Sequence, residues 1–543
     1  MNDVGLLVIT KAVCGYPSVL KGLLLRARQL VRSKLYVALE PTGLRSVRPV
    51  CAFHFLYSVY RICSETCKDL DVRVLLQNLK SAHGHGQVHP AALSADCLLA
   101  DCDAQTLRCL LPFVSDVTNL IELPHASDDR NGKGVVCRCR GIFVPVGDSL
   151  TTTPATGAYK DVVLGGTFDR LHNGHKIVLS VAALLSGGSV TCGVTGASMV
   201  SKKLLHELIT STQQRIDQVS SFLQDIDPSL SKDVVVINDQ FGPSVEKEDI
   251  DCIVATSETA KGAFAVNEKR CKENGLNPLD VFVIELLHGS RAGIISSRAL
   301  SSSEHRFELL GTLLKPPKTP RLYDKVYVVG LTGGVASGKS HIAEYLRSLG
   351  AAIIDCDRLG HETYLPGTET YQRIIDKFGQ EVVSVDDHRT INRQLLGRIV
   401  FGDKGALQAL NSIVWPAIRQ LIERDIAEFQ RHQNDASTIV VVDAAVLIEA
   451  GWHSLVDEIW VTFVPRDETA LFRTYSVQAI KRIMDRNQKT RDEACARIDA
   501  QMSVKERLSY ANVAFCSMWA YSVTETQVWP SRQIFFMIIQ SCH

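Results

Sequence analysis

The sequence of 543 residues has no surplus of charge of either sign, because Lys plus Arg and Asp plus Glu both number 59. A nucleic-acid-binding protein usually carries a basic excess, so this balance argues against that class. The longest apolar runs, such as residues 534–539, are far shorter than the ~20 residues that a membrane-spanning helix needs. The 16 cysteines lack a regular spacing, which predicts reduced thiols in a soluble intracellular protein rather than a disulfide framework.

A chain of this length cannot share one hydrophobic core, so several domains are expected. Strand patterns alternate with helical patterns along most of it, which predicts α/β domains with parallel sheets. The predicted parts are an N-terminal α/β region, a linker, a Rossmann-like nucleotide-binding domain, a proline-rich linker and a P-loop domain. They cover residues 1–146, 147–160, 161–312, 313–325 and 326–543.

The N-terminal region is predicted to have strands at 4–10, 34–39, 72–76 and 142–146, and a helix at 17–31. Its basic, acid-poor start suits either a mitochondrial address or a first βα unit, and the flanking strands favour the βα unit. His83, His85 and His89 have metal-like spacing, yet no cysteine pair or carboxylate accompanies them, which favours a solvated loop. No catalytic constellation precedes residue 160. We therefore expect a regulatory or partner-binding region, in a protein of the cytoplasm or the mitochondrion.

Residues 161–176, DVVLGGTFDRLHNGHK, have the pattern of a strand, a glycine turn and a helix start. Such a turn directs backbone N–H groups and a helix N-terminus at an anion. His172 and His175 are three residues apart, so both imidazoles lie on one side of the first helical turn and can donate to phosphate oxygens. An ordinary βα turn is the alternative, but it needs neither two glycines nor paired histidines. The stretch therefore predicts a polyphosphate site.

The string GGTFDRLHNGH resembles the nucleotidyltransferases with an H-x-G-H signature, most of all phosphopantetheine adenylyltransferase. The resemblance implies that Thr167 contacts phosphate and phosphopantetheine, and that His172 and His175 stabilise the charge on the α-phosphate of ATP. It also implies a lysine after the second strand, a cation before a later glycine, and a serine run that ends in arginine. The remaining residues implied in binding are Gly165, Phe168, Lys203, Lys261, Ser301, Ser302, Ser303 and Arg306.

Two of these positions have alternatives in the sequence. Position 261 is a lysine where the family has arginine. The lysine keeps the positive charge but cannot form the two parallel hydrogen bonds of a guanidinium group. The serine run could be 294–300 or 300–306, and only the second has an arginine three residues after its third serine. With that choice, residues 289–299 look inserted relative to the family. Each lysine could also be an ordinary solvated side chain.

A second phosphate-binding pattern follows a predicted strand at 326–331. It has the form G-x-x-x-x-G-K-S and leads into a helical pattern, which is the context of a P-loop. Backbone amides of such a loop cradle the β- and γ-phosphates, Lys339 neutralises the moving phosphoryl group and Ser340 binds Mg²⁺. The other loop residues are Gly333, Gly334, Val335, Ala336, Ser337 and Gly338.

Two later strands end in carboxylates. Asp355 and Asp357 follow the first, where a carboxylate can take a proton from an attacking hydroxyl. Asp443 ends the second, at the position of a Walker B carboxylate and second Mg²⁺ ligand. If the strand continues as far as Asp357, alternation places both earlier aspartates on one face and does not separate them.

The segments IIDCDRLGH, INRQLLGRIVFGD, VVVDAAVLIEAGW and RIMDRNQKTRDEACARIDAQMS resemble dephospho-CoA kinase across most of residues 325–515. The resemblance implies that Asp357 is the general base and that Arg486 and Arg497 contact the ATP phosphates from a helical lid. A solvated helix face is the alternative for each arginine. Residues 471–476 and the tail after 528 depart from the family.

The two domains in one chain resemble the bifunctional coenzyme A synthases of animals. The resemblance implies ATP and Mg²⁺ as cofactors, and 4′-phosphopantetheine and dephospho-CoA as substrates. One rival is an aminoacyl-tRNA synthetase, but residues 198–203, SMVSKK, come too soon after HNGH to be its second signature. Another is a regulatory scaffold or isoform with one or both nucleotide sites impaired. The intact motif residues argue against that rival, and the insertions and unusual tail keep it open.

Overall fold

The computed structural model describes most of the chain in eight main ranges. These are residues 2–10, 17–40, 49–80, 95–102, 120–123, 154–284, 302–384 (without 319–320) and 389–528 (without 433–437 and 466–500). The described residues cluster into two compact units, one of residues 1–201 and 209–304 and one of residues 202–208 and 305–543.

The N-terminal part of the first unit contains a parallel five-stranded sheet in the order β3-β2-β1-β4-β5. Its elements are β1 (Asn2–Ile9), α1 (Pro17–Leu30), β2 (Val31–Leu39), α2 (Pro49–Thr66), β3 (Asp71–Val74), α3 (Gln77–Lys80), β4 (Cys97–Ala100) and β5 (Leu120–Glu122). Leu6, Leu7, Val8 and Ile9 of the central strand are all buried, as expected where helices cover both faces of a parallel sheet. The predicted strands near 4–10, 34–39 and 72–76 and the helix at 17–31 are confirmed, while the strand predicted at 142–146 lies outside the described residues.

The rest of the first unit contains a second parallel five-stranded sheet, in the order β10-β9-β6-β7-β8. Its elements are β6 (Tyr159–Gly166), α4 (Asn173–Leu185), β7 (Ser186–Thr195), α5 (Ala197–Val200), α6 (Thr212–Ile226), β8 (Ser231–Ile237), β9 (Cys252–Thr256), α7 (Ala260–Lys272) and β10 (Asp280–Ile284). Counted from its own first strand, each of these sheets has the order 3-2-1-4-5. The N-terminal domain therefore has the strand topology of the Rossmann-like domain. The sequence after its first strand, KAVCGY, contains no histidine.

A continuous hydrophobic core joins these two domains. One cluster of buried side chains includes Phe55 and Tyr60 of α2 together with Leu179 of α4. The rings of Phe53 and Phe282 stack with their centroids 6.0 Å apart. The helix that starts at the H-x-G-H motif is thus packed from one side by the N-terminal domain.

The second unit contains a third parallel sheet, in the order β12-β13-β11-β14-β15. Its elements begin with α8 (Ser302–Leu309, which spans the boundary between the units) and continue with β11 (Val326–Gly333), α9 (Lys339–Ser348), β12 (Ala352–Asp355), α10 (Cys356–Thr363), α11 (Glu369–Phe378), α12 (Arg393–Gly402), α13 (Lys404–His432), β13 (Thr438–Asp443), β14 (Glu458–Phe463), α14 (Val504–Tyr510) and β15 (Val513–Cys516). All eight residues of the central strand β11 are buried. The chain therefore has the predicted class, α/β with a Rossmann-like domain followed by a P-loop domain.

The segment predicted as a proline-rich hinge, 313–325, is attached to the second unit in its described part. The Leu314 amide donates to the Asn512 carbonyl oxygen at 2.6 Å, and the Leu322 amide donates to Asp457 Oδ1 at 2.8 Å. Because its backbone groups are paired in this way, the segment is part of a packed surface rather than a free hinge.

The described ranges contain no helix that is both long and apolar enough to cross a membrane. The cysteines within them are free thiols, which agrees with the irregular cysteine spacing of the sequence.

Candidate active sites

The first candidate site lies where β6 turns into α4. His172 is the N-cap residue of α4, and its ring stacks on that of His175 with centroids 3.8 Å apart and planes 24° apart. The Oγ atom of Ser302 lies 3.2 Å from His172 Nε2 and 3.4 Å from His175 Nε2. The structure therefore brings three predicted site residues together at a helix N-terminus, where the helix dipole favours an anion.

The loop between β6 and α4 is held by Arg215 of α6 and by Thr210, two residues before that helix. Arg215 is 1% exposed, and its Nη1 donates to the Thr167 carbonyl oxygen at 2.8 Å while its Nε donates to the Thr210 carbonyl oxygen at 3.1 Å. Asp169 accepts from the amide and hydroxyl of Thr210 at 3.1 and 3.2 Å. These contacts fix the backbone of the T-F-D segment beside the histidines.

Phe168 adopts a left-handed backbone conformation, with φ of 50°, which is costly for a bulky residue and persists only where the surroundings determine it. Its ring centroid lies 5.3 Å from that of His175. A Cβ atom on Gly166 would come within 3.0 Å of the Phe168 ring. The second glycine of the turn therefore makes room for Phe168. Gly165 is exposed, and a Cβ atom there would meet no atom closer than 3.6 Å.

The other predicted residues of this site have different environments. Lys261 is exposed in the first turn of α7, and Lys203 is exposed in the turn after α5, within the second unit. Arg306 is 1% exposed, and its Nε donates to the Leu204 carbonyl oxygen at 2.9 Å. The structure thus gives Arg306 a packing role within the second unit, and its role at the ATP phosphates stays a prediction. Ser303 lies on α8, and Ser301 lies outside the described residues.

The second candidate site is the loop between β11 and α9. Lys339 forms an ion pair with Asp443 at the end of β13, and both side chains are nearly buried. The Ser337 hydroxyl is hydrogen-bonded to that of Thr462 at 2.7 Å, and Ser517 Oγ donates to the Ser337 carbonyl oxygen at 2.7 Å. These contacts hold the loop from three neighbouring strand ends.

Two P-loop positions require glycine because neighbouring atoms leave no space for a Cβ atom there. A Cβ atom on Gly333 would lie 2.1 Å from Thr462 Oγ1 and 2.6 Å from the Thr462 carbonyl oxygen. Gly338 has φ of +85° and would place a Cβ atom 2.8 Å from the Ser517 side chain. The Val335 amide, in the middle of the loop, donates to Gln501 Oε1 at 3.0 Å.

The acidic residues of this site converge at the ends of β12 and β13. Asp355 is the register partner of Asp443 and is the N-cap of α10, where its Oδ1 accepts from the amides of Asp357 and Arg358 at 3.0 and 3.1 Å. The strand ends at Asp355, so the condition for applying strand alternation to Asp357 is not met. Asp357 lies exposed in the first turn of α10 because the capping carboxylate starts the helix there.

The site offers oxygen donors of the kind that Mg²⁺ prefers. The Ser340 hydroxyl is exposed at the start of α9. Burial raises the pKa of the Asp443 carboxyl, and the neighbouring Lys339 opposes that rise. A hydroxyl and one carboxylate fit an ion that keeps several waters and phosphate oxygens. Within the described ranges no group of three or more His, Cys, Asp or Glu side chains is arranged to hold a metal by itself.

Several residues that shape these sites escaped prediction from the sequence. Arg215, Thr462 and Gln501 all act on loops far from them along the chain, and no local motif marks them. The predicted lid arginines Arg486 and Arg497 and the histidines at 83, 85 and 89 lie outside the described residues.

Two parts of the chain match families of known proteins. Residues 163–310 match the family model described as cytidylyltransferase-like, and residues 327–516 match the one described as dephospho-CoA kinase. A dephospho-CoA kinase of Carboxydothermus hydrogenoformans is 41% identical over 201 residues, which are 37% of this chain and 90% of that protein. One of Geobacter metallireducens is 41% identical over 208 residues, 38% of this chain and 96% of that protein. The solved dephospho-CoA kinase of Campylobacter jejuni is 23% identical, with a TM-score of 0.29, and the match covers 40% of this chain and 99% of that one.

Proposed function

The chain belongs to the dephospho-CoA kinase family, and from this we propose that it completes coenzyme A in two consecutive reactions. The P-loop domain phosphorylates dephospho-CoA, and the cytidylyltransferase-like domain makes that dephospho-CoA from 4′-phosphopantetheine and ATP. The observation that carries the proposal is that one chain has two turns of the kind that bind phosphate, the turn with the histidine pair at the start of α4 and the P-loop before α9.

In the first reaction a phosphate oxygen of 4′-phosphopantetheine attacks the α-phosphorus of ATP, and pyrophosphate leaves. No covalent enzyme intermediate is needed, so the protein contributes positioning and charge stabilisation. His172 and His175 donate to the α-phosphate oxygens, and Thr167 contacts the phosphate of the acceptor. Lys203 and Lys261 supply further positive charge for the phosphates. The stacking of the two rings beside Ser302 supports a shared role in one anion site.

In the second reaction the ribose 3′-hydroxyl of dephospho-CoA attacks the γ-phosphorus of a second ATP, and ADP leaves. Asp357 accepts the hydroxyl proton, and the ammonium of Lys339 neutralises the transferred group. Ser340 and Asp443 would hold Mg²⁺, which neutralises phosphate charge when bound. Asp355 starts α10 by capping it, so Asp357 lies in the first turn of that helix.

The first reaction is tested by pyrophosphate release. Purified protein with ATP and Mg²⁺ should release pyrophosphate only when 4′-phosphopantetheine is added. A protein that phosphorylates added dephospho-CoA but releases no pyrophosphate would show that the cytidylyltransferase-like domain has another substrate or none.

A further inference from the structure

Two polar contacts from the N-terminal domain hold the first turn of α4. Lys176 directly follows the H-x-G-H motif, and its Nζ lies 2.6 Å from Asp71 Oδ1 and donates to the Val72 carbonyl oxygen at 3.1 Å. Asn173, between the two motif histidines, donates from Nδ2 to Ser64 Oγ at 3.0 Å. Both contacts connect α4 to the end of α2 and the start of β3.

The geometry of the helix connects these contacts to the histidines. Asn173 and Lys176 are three residues apart and share one side of the turn, while His172 and His175 share another side about 100° away. Any rotation of the first turn therefore moves both pairs together. Whatever fixes Asn173 and Lys176 also fixes the direction in which the histidine rings point.

The ion pair belongs to a larger charged network, in which the Lys176 side chain is buried and the Asp71 side chain is partly exposed. Lys176 is 4% exposed, and Asp71 is also bound by Arg73 at 2.8 Å. Arg73 in turn binds Asp225 of α6 at 2.8 Å. Burial alone would raise the pKa of Asp71, but Lys176 and Arg73 outweigh it and hold that pKa below its ordinary value. Asp71 is therefore ionised at neutral pH. Burial lowers the pKa of Lys176, and the Asp71 carboxylate opposes that change.

Such a network is a costly way to hold two domains together. Desolvation of buried charges often cancels their attraction, so apolar residues of similar volume would stabilise the contact equally well. Unlike an apolar contact, a hydrogen-bonded ion pair fixes the orientation of the two groups, because it forms in only one arrangement of donor and acceptor. The N-terminal domain shares the strand order of its neighbour, but the sequence after its first strand, KAVCGY, contains no H-x-G-H motif.

We propose that Asp71 and Ser64 of the N-terminal domain are positioning residues for adenylyl transfer, acting through Lys176 and Asn173 to orient His172 and His175. The inference rests on the proposed adenylyltransferase activity and assigns the N-terminal domain a part in that reaction. The domain then supports catalysis without touching substrate.

Asp71→Asn tests the proposal, and Asp69→Asn is its matched control. The Asp69 carboxylate belongs to an exposed ion pair with Arg28, so the same substitution two residues earlier leaves α4 untouched. We expect kcat for pyrophosphate release to fall on the order of 10²-fold in Asp71→Asn, as for a small misplacement of catalytic groups. The KM for ATP should change little, and phosphorylation of added dephospho-CoA should stay at the wild-type rate. Normal kcat in a folded Asp71→Asn protein would overturn the proposal.

A double variant separates positioning from simple stability. Adding Lys176→Met to Asp71→Asn removes the unpaired buried charge, so the melting temperature should recover, while kcat stays low because the directed contact is still missing. Recovery of kcat along with the melting temperature would contradict a positioning role. If Asp71→Asn does not fold, Ser64→Ala decides, because it leaves the ion pair intact and should still lower kcat.

Hydrogen exchange makes the test independent of the proposed activity. The Lys176 amide donates to the His172 carbonyl oxygen at 3.1 Å, so its exchange rate reports on the first turn of α4. Exchange there should become faster in Asp71→Asn and not in Asp69→Asn. If the wild-type protein releases no pyrophosphate, the proposed function fails, and this exchange difference alone supports or overturns the link from Asp71 to α4.

Discussion

Replacing Asp357 by asparagine should slow the phosphorylation of added dephospho-CoA by roughly 10²- to 10⁴-fold, which is the usual contribution of a general base. The amide keeps the size of the side chain and cannot accept the proton of the ribose hydroxyl. Asp357 is exposed in the first turn of α10, so the change should leave the fold and ATP binding unaltered. Both expectations are checked on the same sample, the slower phosphorylation by steady-state turnover and the unaltered ATP binding by an equilibrium binding measurement.

Asp355 provides the comparison, because the structure assigns it a different task. Its carboxylate caps α10 by accepting from two backbone amides, and loss of such a cap costs about 0.5–2 kcal/mol. Asp355→Ala should therefore lower the free energy of unfolding by that amount, while Asp355→Asn retains a capping oxygen and most of the stability. Under our assignment Asp355→Asn also retains turnover. Collapse of turnover in Asp355→Asn with normal turnover in Asp357→Asn would move the base to Asp355, and weakened ATP binding in Asp357→Asn would indicate a nucleotide or metal role.

Three further substitutions separate the two reactions and test the P-loop. His172→Ala should reduce pyrophosphate release on the order of 10²-fold or more and spare phosphorylation of added dephospho-CoA; loss of both activities would refute two separate sites. Lys339→Ala should cause dephospho-CoA to accumulate, and a normal rate of coenzyme A formation would exclude Lys339 from the phosphoryl transfer. Gly333→Ala forces a Cβ atom to within 2.1 Å of the Thr462 hydroxyl, so the loop must shift and kinase turnover should fall about 10²-fold. The control Gly22→Ala has open space around it and should stabilise its helix by about 1 kcal/mol.

The local parts of both sites could be predicted from the sequence because each lies within one continuous stretch. The glycines before His172 and those before Lys339 need particular turns, and strand and helix patterns on either side set the context. The structure accordingly places both histidines at a helix start and Lys339 at another. At these positions the residues that carry the chemistry and the glycines that shape the backbone lie in the same short stretch of sequence.

Features that depend on tertiary packing could not be predicted in this way. Helix α2 is rich in aromatic and β-branched residues with weak helix propensity, and it forms because Phe55, Tyr60 and their neighbours are buried. Arg215 reaches the Thr167 carbonyl oxygen across 48 residues, and Gln501 reaches the P-loop across 166 residues. No pattern of sequence spacing records such contacts.

The division between Asp355 and Asp357 shows where strand alternation stops being informative. The rule assumes that the strand continues, whereas the chain turns into α10 at Cys356. A short polar side chain that caps the next helix ends the strand earlier than the apolar pattern indicates.

The central claim is that one chain carries 4′-phosphopantetheine through to coenzyme A. Incubation of the purified protein with ATP, Mg²⁺ and 4′-phosphopantetheine, followed by mass spectrometry over time, identifies each product. We expect the mass of dephospho-CoA to appear first, with one pyrophosphate per molecule formed, and then the mass of coenzyme A. Unchanged 4′-phosphopantetheine, in a sample that converts added dephospho-CoA to coenzyme A, would contradict the claim and leave the chain a kinase alone.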